Sequence, residues 1–360
     1  MAVSTGPYTR QDILDAARNR RPVIGADLSG LDLSGADLTG ARFEKVNFSS
    51  ANLAGATIKE AGFKKCVFAS AILDGCNLTK MNLSKTNFAG ASLKNVHTQM
   101  TMLGGSDFTG ADLSGARLYW SIVEKTKLDG AKLVGATLEK LTMRASSLTR
   151  VDLTGAKLIK AILTGCDLKG IVFKDVSFEK ALFTSCDLSG QDFSGLSLTQ
   201  VNFSGSNLSG AKFVKAKLAY CHFGKANLEG ADFTGASGSK SMYSGASLKG
   251  AKLTGGTFVS SVFSEADLSA ADLSGATLFK CAFAKAVCRG AKFSGCDLRH
   301  ADFSHADCTA ADFTRANMTM ANVHMQKDEH AVYDLTERTL VRPTNKDMAE
   351  AESFRPVQQA

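Results

Sequence analysis

The sequence is poor in several things that mark common protein classes. It has four prolines and one tryptophan in 360 residues. Apolar residues make up 44 % and charged residues 21 %, a composition that excludes wholesale disorder and allows a packed core. No run approaches 18 consecutive apolar residues, so no membrane-spanning helix is expected. At the N-terminus no basic start leads into an apolar stretch, and Asp12, Asp15 and Arg18 interrupt it early, so no signal peptide is read. An excess of acid is also missing. Lys plus Arg number 42 against 35 Asp plus Glu, a net charge of +7, which excludes a polyanion. Phosphate loop, dinucleotide fingerprint and nucleophile elbow are all lacking.

What the chain has in abundance is a repeat. From Ala26 it runs Ala-Asp-Leu-Ser-Gly, Leu-Asp-Leu-Ser-Gly, Ala-Asp-Leu-Thr-Gly. Steps of five from Leu28 to Val323 give 60 centres, of which Leu occupies 30 and Phe 20. The other ten are Ile58, Thr98, Val123, Met143, Gly238, Tyr243, Cys288, Cys308, Met318 and Val323. No insertion or deletion breaks the register. Two residues before each centre stands a small or apolar residue, usually Ala. Helices need apolar spacings of three and four and strands a spacing of two; a strict five fits neither.

A second period lies within the first. Glycine two places after the centre occurs in 21 of the 30 repeats centred at 28, 33, 48, 53 and onward, but in only five of the other 30. Glycine there reports a turn that wants positive φ. Its alternation with period 20 implies four repeats per coil, with two sides built differently from the other two.

The motif Ala-(Asp/Asn)-(Leu/Phe)-(Ser/Thr)-Gly resembles that of the pentapeptide-repeat proteins, over residues 26–325. The resemblance implies an all-β fold, a right-handed four-sided parallel β-helix of about 15 coils, with the centre and its minus-two partner facing inward. Coils stacked at strand spacing would extend about 70 Å. Residues 1–25 are read as an N-terminal cap, with a short helix over 9–19 opened by Thr9 and Asp12. Residues 26–325 form the β-helix. Residues 326–360 are read as an irregular C-terminal cap and mobile tail, polar from Pro343 and helical around 346–354.

Register assigns the chemistry-capable side chains to bland roles. Cys66, Cys76, Cys166, Cys186, Cys221, Cys281 and Cys296 fall on the small inward position, and Cys288 and Cys308 on the centre. Each is expected to pack as a small hydrophobe. His300, Asp302 and His305 form the one histidine cluster, and His305 sits a repeat further round, so no metal site is expected. The aspartates of the motif are outward, and a convex solenoid has no enclosing pocket. Neither catalytic activity nor a cofactor is expected.

Two surface features remain. The glycine-poor sides carry 20 Lys/Arg against nine Asp/Glu, and the glycine-rich sides 13 against 17. Half the surface is therefore basic, without the interleaved aromatics that single-strand binders use, and nucleic acid is not the expected partner. At the corner between the two glycine-poor sides, Met100, Met102, Tyr119, Trp120, Ile122, Ile159, Ile162 and Leu182 should point outward from successive coils as one apolar strip. It thins towards Tyr220, Met242, Val259, Val262 and Phe279. Thr98 and Gly238 replace core residues nearby and should weaken their coils.

These features point to a non-enzymatic scaffold or adaptor that binds another protein. The opening helix followed by Gly-Ala-Asp-Leu-Ser-Gly-Leu-Asp-Leu-Ser-Gly is similar to pentapeptide modules associated with bacterial type VI secretion. That similarity implies a secretion spike or effector as partner and allows export through that system; with no signal peptide or membrane span read, a cytoplasmic protein is expected. Some members of the family instead protect DNA gyrase by mimicking DNA. A basic rod is a poor substitute for a polyanion, so this is a secondary alternative; nucleic-acid binding through the basic half of the rod is the third.

Overall fold

The computed structural model describes residues 8–353 and divides into two compact units, one ending at Leu188 and the other beginning at Ser189. Of the mobile tail expected from Pro343, the part beyond residue 353 lies outside the described residues, as do residues 1–7 of the expected N-terminal cap. In both units the same backbone scheme repeats every 20 residues. A centre donates its N–H to the carbonyl 19 residues on, as from Leu28 to Asn47 (2.8 Å) and from Phe213 to Asp232 (2.6 Å). The residue before a centre donates back 21 residues, as from Asn47 to Ala26 (3.0 Å). Four five-residue steps therefore close one coil, and all strand pairing is parallel.

The polar residue before the centre has a structural task. Asp27 accepts the Ser29 backbone N–H at 3.0 Å, and Asn202 accepts that of Ser204 at 2.8 Å. The Asx bond closes the corner locally, which is why Asp or Asn and then Ser or Thr bracket many of the centres. Two residues after the centre φ is positive on all four sides: +68° at Gly30 and +61° at Gly35, but also +60° at Lys80 and +51° at Lys125. Glycine alternation therefore does not mark where the left-handed turn occurs. The difference between sides lies one residue earlier. On glycine-poor sides of the first unit, many corners open into three-residue strands: β2 (Arg42–Glu44), β3 (Gly62–Lys64), β4 (His97–Gln99), β5 (Arg117–Tyr119), β6 (Ile122–Glu124), β7 (Thr137–Glu139), β8 (Thr142–Arg144), β9 (Lys157–Ile159), β10 (Ile162–Thr164), β11 (Ser177–Glu179) and β12 (Leu182–Thr184). The two-residue β1 (Val23–Ile24) leads the first sheet, β1-β2-β3; the others are β4-β5-β7-β9-β11 and β6-β8-β10-β12.

Inside, like stacks on like. In the first unit Phe48, Phe68, Phe88 and Phe108 form a parallel stack with centroids 4.8–5.3 Å apart. In the second, Phe203, Phe223, Tyr243, Phe263, Phe283 and Phe303 do the same at 4.6–5.2 Å. Each such side chain is essentially fully buried, worth roughly 2–3 kcal/mol in water-to-core transfer.

All nine cysteines are buried. They are more than small hydrophobes. Cys221, Cys281 and Cys296 direct their thiols at the carbonyls of Leu198, Phe258 and Leu273, 2.8–2.9 Å away and 23 residues earlier. Thr101, Ser106, Ser241 and Ser261 use the same bond at 2.6–2.8 Å. The minus-two position thus admits any small donor, because a spare carbonyl lone pair faces it.

The first and last coils are finished differently. Helix α1 (Arg10–Arg18) begins with a Thr9–Asp12 capping box, buries Ile13 and Ala17, and sends the Arg10 guanidinium to the carbonyls of Asp32 (2.9 Å) and Ser34 (2.7 Å). At the other end, the irregular cap expected from residue 326 is instead one more coil. Phe313 and Met318 donate to Val332 and Glu337 at 2.8 Å, and Leu335 keeps φ at +54°. Backbone bonds template this coil without the motif. Its centres are polar or amphipathic: Asp328 accepts from the Tyr333 phenol at 3.0 Å, Tyr333 stacks on Phe313, and Arg338 covers Tyr333 at 4.4 Å. Charge on the last edge discourages pairing with further strands. Helix α2 (Lys346–Ser353) follows.

Candidate partner-binding corner

The eight corner residues singled out by register all lie within the first unit. Strand pairing fixes three rows. The last residues of β4, β5, β7, β9 and β11 align as Gln99, Tyr119, Glu139, Ile159 and Glu179. The left-handed residues that follow are Met100, Trp120, Lys140, Lys160 and Lys180. Beyond them Met102, Ile122, Thr142, Ile162 and Leu182 align in turn. An extended residue followed by a left-handed one swings both side chains out at the bend, so each rung presents three to solvent.

Exposure is uneven along the corner. Met100, Met102, Trp120 and Ile122 are 44–52 % exposed, large values for apolar side chains. Tyr119, Ile159, Ile162 and Leu182 are half-buried. The eight residues do not form one unbroken strip, because Glu139, Lys140 and Thr142 make a polar rung across it. Above that rung Tyr119 and Trp120 stack at 5.2 Å and 15°. Lys140 folds back over them, with Nζ 4.7 Å from the Trp120 centroid and 3.5 Å from the Tyr119 hydroxyl oxygen. The cation–π contact pins the aromatic pair flat. Below the rung Ile159, Ile162 and Leu182 form a second, shallower apolar patch.

A depression of about 340 Å³ adjoins the upper patch, lined by Asn77, Thr79, His97, Thr98, Gln99, Arg117 and Tyr119. Thr98, out of pattern at a centre, is not a defect: its hydroxyl lies 2.9 Å from that of Ser121 in the next coil, both buried. The second unit carries smaller versions of the aromatic–lysine arrangement. Lys240 caps Tyr220, with Nζ 3.3 Å from its hydroxyl, and Phe279 sits among Lys280, Arg299 and His300.

The sequence grouped His300, Asp302 and His305, but the fold groups differently. His300 packs edge-on against Phe279, while His305 meets His324 and Glu352 of α2. The signal was available in the 19-residue spacing of His305 and His324, which the backbone ladder pairs; the third member depends on where the tail lands. Among the described residues no helix is long and apolar enough to cross a membrane.

Comparison with known proteins agrees with the repeat scheme. The model of pentapeptide repeats (8 copies) matches residues 26–64, 61–97, 101–130, 131–170, 152–190, 244–278 and 281–321, and that of the pentapeptide repeat region matches 176–253. Among solved structures the chain is similar to HetL, a pentapeptide repeat protein involved in heterocyst differentiation regulation in the cyanobacterium Nostoc. Identity is 25 % over 84 % of this chain and 96 % of that one, with a TM-score of 0.16. It is also similar to Rfr23 of the cyanobacterium Cyanothece (22 %, over 31 % and 85 %, TM-score 0.23). Full-length QnrB1, a plasmid-mediated fluoroquinolone resistance protein, is 17 % identical over 65 % and 99 %, with a TM-score of 0.28. Comparison with curated proteins gives no match. On the repeat models, which together cover well over half its length, the chain belongs to the pentapeptide-repeat family.

Proposed function

We propose that this chain is a protein-binding scaffold, and that its partner docks on the corner formed by Met100, Met102, Tyr119, Trp120, Ile122, Ile159, Ile162 and Leu182. Pentapeptide-repeat proteins are generally non-catalytic structural or binding proteins, which agrees with a scaffold role. The observation that carries the reading is the Tyr119–Trp120 pair, stacked, fixed by Lys140 and still open to solvent beside Met100, Met102 and Ile122. An exposed aromatic already held in one rotamer loses little entropy on binding, and aromatic side chains dominate interface energetics. The partner class we propose is a type VI secretion spike or effector, supported by the likeness of the opening residues to modules that accompany such cargo. A net charge of +7 weighs against DNA mimicry.

The test is affinity capture from host lysate with the wild-type chain and with a Tyr119→Ala, Trp120→Ala double variant. Recovery of a spike or effector by the wild type alone supports both the partner class and the site. Recovery of gyrase subunits, or of a partner that the double variant retains, refutes the reading.

A further inference from the structure

We infer that His305, His324 and Glu352 form a site for a divalent transition-metal ion, zinc fitting best, which fastens the tail helix α2 to the coils beside it. The backbone builds two-thirds of the site. The His305 N–H donates to the His324 carbonyl at 2.8 Å, so neighbouring coils hold the two imidazoles side by side with ring centroids 5.3 Å apart. The chain then reverses. Thr344 accepts the Met325 N–H at 3.0 Å, and the Asn345 side chain caps α2 by accepting the Met348 N–H at 3.1 Å. Further along the helix Glu352 points back at the histidines. Its Oε2 lies 3.1 Å from Nε2 of His305 and 3.4 Å from Nε2 of His324.

The three ligand atoms lie within 4.8 Å of one another. Tetrahedral zinc with bonds near 2 Å separates its ligand atoms by about 3.3 Å, so each carboxylate–imidazole edge already has the right length. Two imidazoles and one carboxylate are a borderline-soft nitrogen and oxygen set, suited to zinc and poorly suited to calcium or magnesium. His324 is only 6 % exposed, which shields one face. The cavity beside it, about 490 Å³, leaves room for a fourth ligand, and Arg342 on its wall favours an anion there.

Proton placement is part of the inference. The Asn345 N–H donates to Nδ1 of His324 at 3.1 Å, so the neutral ring carries its own proton on Nε2, aimed at Glu352. Metal at Nε2 displaces that proton to Nδ1, where it opposes the Asn345 amide. Loading therefore exchanges one hydrogen bond at the start of α2 for metal–ligand bonds at its end. The buried thiols, each already aimed at a carbonyl or at another thiol, offer no competing site.

The experiment titrates zinc into untagged, chelator-treated full-length protein by calorimetry, with hydrogen exchange of residues 343–353 followed in parallel. One zinc per chain is expected, with slower exchange across α2. Glu352→Gln and His305→Ala should each weaken binding more than about tenfold, and His300→Ala should leave it unchanged. Glu352→Gln alters only the tail, so loss of fold does not confuse the result. No saturable binding, or binding indifferent to both substitutions, overturns the inference. Binding that needs His305 but not Glu352 overturns it too, since the ion would then not fasten the tail.

Discussion

Gly238 invites repair. It stands at a centre where 50 of 60 repeats carry Leu or Phe, and consensus logic says that Gly238→Leu should stabilise the coil. The structure reverses that expectation. A Cβ at Gly238 would lie 2.8 and 2.9 Å from ring carbons of Phe258, and 3.3 Å from the Tyr243 hydroxyl. A Cβ at Gly256 would meet the same Phe258 ring at 2.5 Å. Two glycines, one coil apart, therefore make room for a phenylalanine that leans across from its own position. The volume that the introduced leucine side chain would need is already filled, so its transfer free energy is not gained unless Phe258 leaves. Overpacking of this kind costs about 1–3 kcal/mol. The backbone at Gly238 is not left-handed, so sterics alone decide the outcome. Chemical denaturation of wild type, Gly238→Leu, Phe258→Leu and the double variant forms a thermodynamic cycle. The single Gly238→Leu change should destabilise by about 1–3 kcal/mol. Phe258→Leu alone should also destabilise, by roughly 1–2 kcal/mol, through the cavity it leaves. The double variant should return to within about 1 kcal/mol of wild type, because only together do the two side chains fill the space once. A stabilising Gly238→Leu, or additive effects in the cycle, would refute this account of the core.

Other expectations concern the thiols and the aspartates. All nine thiols are buried, and burial pushes those of Cys221, Cys281 and Cys296 up to about 12; shielded from reagent, none should react with a thiol-reactive dye in the native protein, and nine should after unfolding. Rapid native labelling would contradict the inward assignment. The Ser29 and Ser34 backbone N–H groups hold the carboxyls of Asp27 and Asp32 below their usual value. A lowered folded pKa gives stability that is complete above the ordinary carboxylate pKa of about 4 and is lost as pH falls through the folded value. Thermal midpoints should be flat from neutral pH down to about 5 and drop below about 4. Asp27→Asn, which keeps the Asx acceptor, should lessen the drop; an unchanged acid profile would argue against it.

How far the sequence carried depends on whether a feature repeats locally. The inward positions were legible because a side chain's direction follows from its place in a five-residue step, and the nine cysteines obeyed it. The α1 capping box was legible because Thr9 and Asp12 are three residues apart. The coil over 326–342 was not, since backbone bonds propagate it while Asp328 and Arg338 occupy centres that the motif would fill with Leu or Phe. Thr98 and Gly238 looked like faults because their compensation lies in the next coil, at Ser121 and Phe258. The polar rung at Glu139, Lys140 and Thr142 was readable in principle. Treating the outward residues as one strip hid it, and the fold shows Lys140 bound to the aromatic pair rather than merely interrupting it.

The claim that this corner is an open docking site is tested most directly through Trp120, the one tryptophan in the chain. At 44 % exposure its emission should be that of a partly hydrated indole, readily quenched by acrylamide in the dilute free protein. Addition of a captured partner should shift that emission to the blue and protect it. A blue-shifted, quencher-resistant spectrum in the free protein, or no change when the partner binds, would contradict the account.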